Sequence, residues 1–307
     1  MHARVLGYLI LHAPNRTAEE EVAENIVSCA GNREILDELG ASFVKGFINS
    51  FRKSKDRTPI PSYHPSRPSF DREREVMSAQ LEAAPIEHKD AKAQALIRDG
   101  YRCVITGVYD LLAESQLGIS PEQVDAVGEV NTQCAHIVPA STHFNAGVDE
   151  QGEPTHKNKL AASMLSVLKR FGYPVETLNG TGVHSLVNIM TLQSDVHDLF
   201  DRLQLWLEAT VSILLSPRQN LLFQQLSVSG NPASLSDPHR FPLPSPELLA
   251  LHATCAKVAN LSGAAEYLDK VDRDLEELDV LKANGDSSEL LDVAIWRALG
   301  SRIDVGA

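Results

Sequence analysis

Three short segments carry side chains whose types and order could hydrolyse a phosphate ester. Ala135-His136-Ile137-Val138-Pro139 sets a histidine at the end of a strand-like run. Val187-Asn188-Ile189-Met190-Thr191-Leu192 is a second such run carrying an asparagine, and Ser194-Asp195-Val196-His197-Asp198-Leu199-Phe200-Asp201 opens a helix. Ester hydrolysis needs a nucleophilic water, and a neutral imidazole near pH 7 can take its proton. His136 is the candidate base. An amide both donates and accepts, so Asn188 could hold the base loop or its imidazole in register. His197 and Asp201 lie four residues apart and would be stacked neighbours on a helix. An imidazole and a carboxylate so placed form a platform for one divalent ion, which acts as Lewis acid and template.

The elements that must position these groups follow from periodicity. At about 100° per residue, Val196, Leu199, Phe200 and Leu203 gather on a core face, and His197 with Asp201 fall on a separate stripe. Asn131 to Val138 alternate as a strand that stops at Pro139, and His184 to Leu192 is strand-like. Ser194 is the expected cap of the helix that follows, which runs to about Leu203. Residues 158–171 place Leu160, Met164, Leu165, Leu168 and Phe171 at helical spacing. Tyr101 to Gly107 form a short β-prone run closed by a turn, and 108–130 are helix and loops. Leu205 to Leu215 is β-prone and pairs in this reading with Asn220 to Val228.

Upstream, residues 17–54 are helical, with Thr17 as the expected cap and a break at Gly31-Asn32. The apolar run Val5 to Leu11 is a buried strand or a first helix turn. Four prolines between Pro59 and Pro68 cannot sustain a helix or a central strand. They mark a boundary between an N-terminal helical region (1–68) and a central domain with a lead-in helix (69–230). An acidic helical region (231–307) follows, with helices over Pro246–Leu261 and Glu266–Leu281.

The 307 residues carry 43% hydrophobic and 22% charged side chains, ordinary for a globular protein. No apolar run approaches the ~20 residues of a membrane helix, and the N-terminus lacks a clear cleavage site. The expected location is intracellular, cytoplasmic or nuclear. Cys29, Cys103, Cys134 and Cys255 form no close-spaced pair. Four reduced thiols is the simpler expectation than a zinc shared by Cys103 and Cys134. The net charge of −13 opposes tight, non-specific nucleic-acid binding, but ten acids against three bases between Glu266 and Asp292 account for more than half of it. A phosphate diester meets the local field of the site rather than the sum over the chain.

Strand, loop, strand and helix bearing His136, Asn188 and His197 in that order resemble the HNH, or ββα-metal, nuclease superfamily. The match is closest to fungal HNH-domain proteins, which share the Arg102-Cys103-x-Ile105-Thr106-Gly107 lead-in and the Ala135-His136-Ile137-Val138-Pro139 strand. The resemblance covers residues 98–210 and extends to the tail from Phe241. It implies an α+β fold, with a ββα-metal HNH core flanked by a helical N-terminal region and helical C-terminal layers. It further implies a metal-dependent endonuclease with one divalent ion (Mg2+, Mn2+, Zn2+ or Ni2+), acting on nucleic acid, DNA before RNA. Many HNH enzymes carry a metal ligand immediately before the base, where this chain has Ala135. The ion would then need water or another side chain, with Asp195 or His184 as supporting candidates. His143 and His184 could face the metal or the phosphate, or be ordinary loop histidines. The alternative function is a non-catalytic HNH-like scaffold whose acidic C-terminal helices bind a basic partner.

Overall fold

The computed structural model describes residues 1–52, 89–139, 156–208 and 240–277. The linker prolines, His143, and the sequence-predicted strands beyond residue 208 lie outside these residues. Helix α1 (His2–Leu11) buries Val5, Leu6 and Leu9, so the apolar N-terminal run is a helix and not a strand. Helix α2 (Arg16–Ser28) is capped by Asn15 rather than Thr17: the Asn15 side chain accepts from Ala18 N at 2.8 Å. The same amide donates to Phe171 O at 3.0 Å, a tertiary contact that no local signal announces. Helix α3 (Arg33–Phe43) starts from the Asn32 cap and continues through a π turn, Val44–Ile48, to Phe51. A Cβ on Gly40 would sit 2.5 Å from His2 Cβ, so the close approach of α3 to the start of α1 requires glycine there.

Helix α4 (Lys89–Arg98) leads to β1 (Tyr109–Asp110), then α5 (Ala113–Leu117), α6 (Pro121–Val127) and β2 (Glu129–Val130). Strands β1 and β2 pair in parallel. Strand β3 (Thr132–His136) pairs antiparallel with β4 (Ile189–Gln193), Thr132 opposite Gln193 and His136 opposite Ile189. Between them lie α7 (His156–Arg170) and three 3-10 turns over Val175–Leu178, Gly180–His184 and Leu186–Asn188. The strand expected from His184 therefore starts at Ile189, because the preceding residues tighten into 3-10 turns. Helix α8 (Ser194–Asp201) follows β4 directly, and α9 (Pro246–Ser262) and α10 (Ala264–Glu277) close the described chain. Mixed helices with small sheets make the fold α+β. Among the described residues no helix is long and apolar enough to cross a membrane.

One contiguous core draws on all four described stretches: Val5, Phe47, Ile137, Phe171, Phe200 and Leu251 are all essentially inaccessible within it. An Arg52–Asp269 ion pair ties α10 to the end of the α3 segment. The buried His252 ring of α9 stacks on Phe200 of α8, centroids 3.7 Å apart and planes within 4°. Its Nε2–H donates to Phe200 O at 3.2 Å, while Nδ1 is buried without a partner.

The thiols of Cys29, Cys103, Cys134 and Cys255 are all free. Burial pushes Cys134 up to about 12, which opposes the thiolate that a zinc site would need.

Beside the β3–β4 pair lies a buried ion pair that the sequence does not announce. Arg98 Nε and Nη2 donate to Asp99 Oδ1 and Oδ2 at 2.6 and 2.9 Å. Nη1 donates to Leu186 O (2.7 Å) and Pro242 O (3.2 Å), and Nη2 also to Ile189 O (2.7 Å). All five guanidinium N–H groups are thereby used. Asp99 Oδ2 in turn accepts from Thr191 N at 3.0 Å.

Two stability predictions follow from these buried groups. Arg98→Met strands the Asp99 charge and three carbonyls, and should cost about 3–5 kcal/mol in urea denaturation. Arg98→Lys, which keeps the charge but not the fork, should also destabilise. An unchanged midpoint in either variant would contradict this account.

Burial lowers the His252 imidazole from 6.5 to about 4, opposed by its bond to Phe200 O and by Asp201. The unfolded chain thus takes up this proton near 6.5 and the folded chain only near 4, so stability is full above the upper value and falls as pH drops between the two. The window is worth roughly 3 kcal/mol at 1.36 kcal/mol per unit. His252→Phe should flatten that acid limb, since Phe200 O keeps its bond from Leu203 N. A variant with the wild-type pH slope would refute the assignment.

Candidate functional site

The site is built on β3, β4 and α8. Successive residues of a strand point to opposite faces, so Gln133 and Ala135 share one face of β3, and Cys134 and His136 the other. Thr132 at the start of β3 is fixed by Asp110, whose carboxylate accepts from its backbone N at 3.1 Å and from its hydroxyl. At the other end, His136 Nε2 lies 2.9 Å from His184 Nδ1, with ring centroids 5.1 Å apart and planes at 66°. The half-buried pair joins the strand end to the Gly180–His184 turn. Of the supporting histidines, His184 is thus brought to His136.

Asn188 is fully buried. Its side chain accepts from Val138 N at 2.8 Å and donates to Val138 O at 3.0 Å and Val183 O at 2.9 Å. Its own backbone carbonyl accepts from Ile137 N at 2.8 Å. The amide therefore clamps the chain just after His136 to the turn that carries His184. All three side-chain bonds run to loop backbone atoms.

On α8, His197 Nε2 lies 3.3 Å from Asp201 Oδ1, both side chains largely buried. His197 Nδ1 lies 2.7 Å from Gln133 Oε1. Gln133 is a site residue that sequence reasoning missed; its place two residues before Ala135, on the same strand face, was the available signal. Ser194 does not cap α8 with its side chain, which donates instead to Asn131 O at 3.2 Å. Asp195 lies apart from His197: it is exposed, and accepts from Gln193 Nε2 at 2.6 Å and Val196 N at 2.9 Å. These bonds hold its carboxyl below the usual range, the Gln193 contribution first. Residues two apart on a helix do not face each other, which is why Asp195 does not join the His197 stripe.

Can this donor set hold a divalent ion? Two ligands each ~2.1 Å from one ion stand roughly 3 Å apart. The 3.3 Å between His197 Nε2 and Asp201 Oδ1 fits that spacing. Imidazole with carboxylate suits a first-row divalent metal. Ala135 supplies nothing, being fully buried in the core beside α8. Among the described residues no group of three or more His, Cys, Asp or Glu is assembled around one point.

Residues 103–208 match the family model described as HNH endonuclease. The matched segment begins in the lead-in turn before β1 and ends beyond α8, so it contains every site residue discussed above. No curated protein and no solved structure matches the chain.

The clamp can be tested directly. Asn188→Ala leaves buried backbone groups unpaired at ~1–3 kcal/mol each and should speed amide exchange at Val138. Asn188→Asp still accepts from Val138 N but cannot donate to the two carbonyls. It should lose stability while keeping the Val138 amide protected. Equal exchange in wild type and Asn188→Ala would show that the amide does not clamp the chain.

Proposed function

We propose that the chain is a metal-dependent HNH endonuclease that hydrolyses phosphodiester bonds, with DNA favoured over RNA by family resemblance alone. The observation that carries this reading is the antiparallel β3–β4 pair running directly into α8. His136 ends one strand, and the His197–Asp201 pair stands on the helix. The arrangement is consistent with a ββα-metal core, and the HNH family match over the same residues supports it.

In this reading His136 accepts the proton of the attacking water as general base. His184, within hydrogen-bond reach of His136 Nε2, holds the imidazole's direction or passes the proton on. Asn188 keeps the strand end in register through Val138. His197 and Asp201 hold the cation. A bound divalent ion supplies charge stabilisation at the phosphate and the leaving oxygen. His136 and His184 are half-buried, at the boundary between the core and the surface from which a substrate would approach.

A second reading has its own observation. With Ala135 sunk into the core and no larger metal-capable group among the described residues, the same framework could serve as a non-catalytic scaffold. Its acidic C-terminal helices would then meet a basic partner.

Plasmid nicking separates the two. A nuclease should lose about 10²–10⁴-fold in rate in His136→Ala while metal still raises its melting temperature. Asp201→Asn should instead be partly rescued by more metal. Absence of activity in purified wild type over a range of divalent ions favours the scaffold. Undiminished nicking by His136→Ala would sink the mechanism.

A further inference from the structure

The His197 ring is held from both sides by acceptors. Gln133 presents its carbonyl oxygen to Nδ1 at 2.7 Å, and Asp201 presents a carboxylate oxygen to Nε2 at 3.3 Å. A carbonyl oxygen only accepts, so the contact with Gln133 requires a proton on Nδ1. In the neutral imidazole the other nitrogen is then a bare lone pair. A protonated ring would donate to both acceptors, whereas in the neutral ring that lone pair and the Asp201 oxygen face each other with no proton between them. The arrangement is unfavourable for two acceptors alone and favourable once a cation lies between.

Asp201 by itself would select the opposite state. A carboxylate beside Nε2 draws the ring proton to that nitrogen, which closes it as a ligand. Gln133 opposes this. It can do so because β3 pairs Gln133 with Leu192, one residue before the β4 end from which α8 springs. The strand register therefore sets the reach from Gln133 to His197. Histidines that bind metals commonly donate their second N–H to an acceptor that fixes tautomer and ring orientation.

We propose that Gln133 is a positioning residue for the cation site, holding His197 in the Nδ1–H tautomer so that Nε2 is open beside Asp201. The proposal rests on the reading of His197 and Asp201 as cation ligands. It makes no demand on His136 or on the substrate.

The test uses the full chain, labelled with nitrogen-15 and free of metal, at a pH where the imidazole is neutral. Long-range proton–nitrogen spectra report which ring nitrogen carries the proton, and His197→Ala assigns the signal. Wild type should show Nδ1–H. Gln133→Leu, at an exposed position where folding is not at stake, should move the population toward Nε2–H. It should also require about 10–100-fold more zinc ion for the same rise in melting temperature. Gln133→Glu, which restores an acceptor, should return both readouts toward wild type. An unchanged tautomer, or an unchanged zinc requirement, in Gln133→Leu overturns the proposal. Neither readout involves nucleic acid or turnover, so failure here stays distinct from failure of the nuclease reading, which the His136→Ala nicking assay decides.

Discussion

The candidate site depends on a buried ion pair that takes no part in its chemistry. Arg98 and Asp99 are wholly removed from water, where an isolated charge would be prohibitive. They are tolerated because every guanidinium N–H has an acceptor and the carboxylate also receives the Thr191 amide. Those acceptors lie on the 3-10 turn before β4, on β4 itself, and on the chain entering α9. A pair of adjacent residues thus fixes the end of α4 and the position of β4 together. β4 cannot shift by one residue without stripping bonds from a desolvated charge.

With β4 immobile, two local devices set the candidate groups. The Asn188 amide pins the chain after His136, and antiparallel pairing places His136 opposite Ile189. Because α8 begins where β4 ends, His197 and Asp201 inherit the same reference frame. Neutral polar bonds thus hold the chain beside His136, and a charged neighbour lies against His197. His252 supports α8 from behind by stacking on Phe200, next to Asp201 in the chain. A buried neutral imidazole there keeps a further positive charge away from His197 and Asp201 while filling the volume of an aromatic ring.

Charge along the chain is arranged unevenly. The acidic stretch starts in α10, which is drawn onto the N-terminal helices by Arg52 and Asp269. The candidate site histidines lie instead on β3 (His136), the Gly180–His184 turn (His184) and α8 (His197). Net charge is a sum over the whole chain, whereas a phosphate meets the local field of the site.

The sequence by itself determined what is local. The helical period of 194–201 and the alternation of 132–136 are written in side-chain hydrophobicity, and so are visible without coordinates. The identity of His136, Asn188, His197 and Asp201 as chemically capable groups was equally legible from type and spacing. Tertiary structure decided which partner each group has. Nothing near Arg98 signals burial, because a helix-ending Arg-Asp reads as a solvated face until three carbonyls from distant segments surround the guanidinium. Gln133 looked like any outward strand residue until α8 laid His197 against it. Asn15, not Thr17, caps α2 because its amide also reaches Phe171 O, more than a hundred residues away. Hydrogen bonds between segments far apart in sequence depend on where the folded backbone brings their ends, and periodicity carries no record of that.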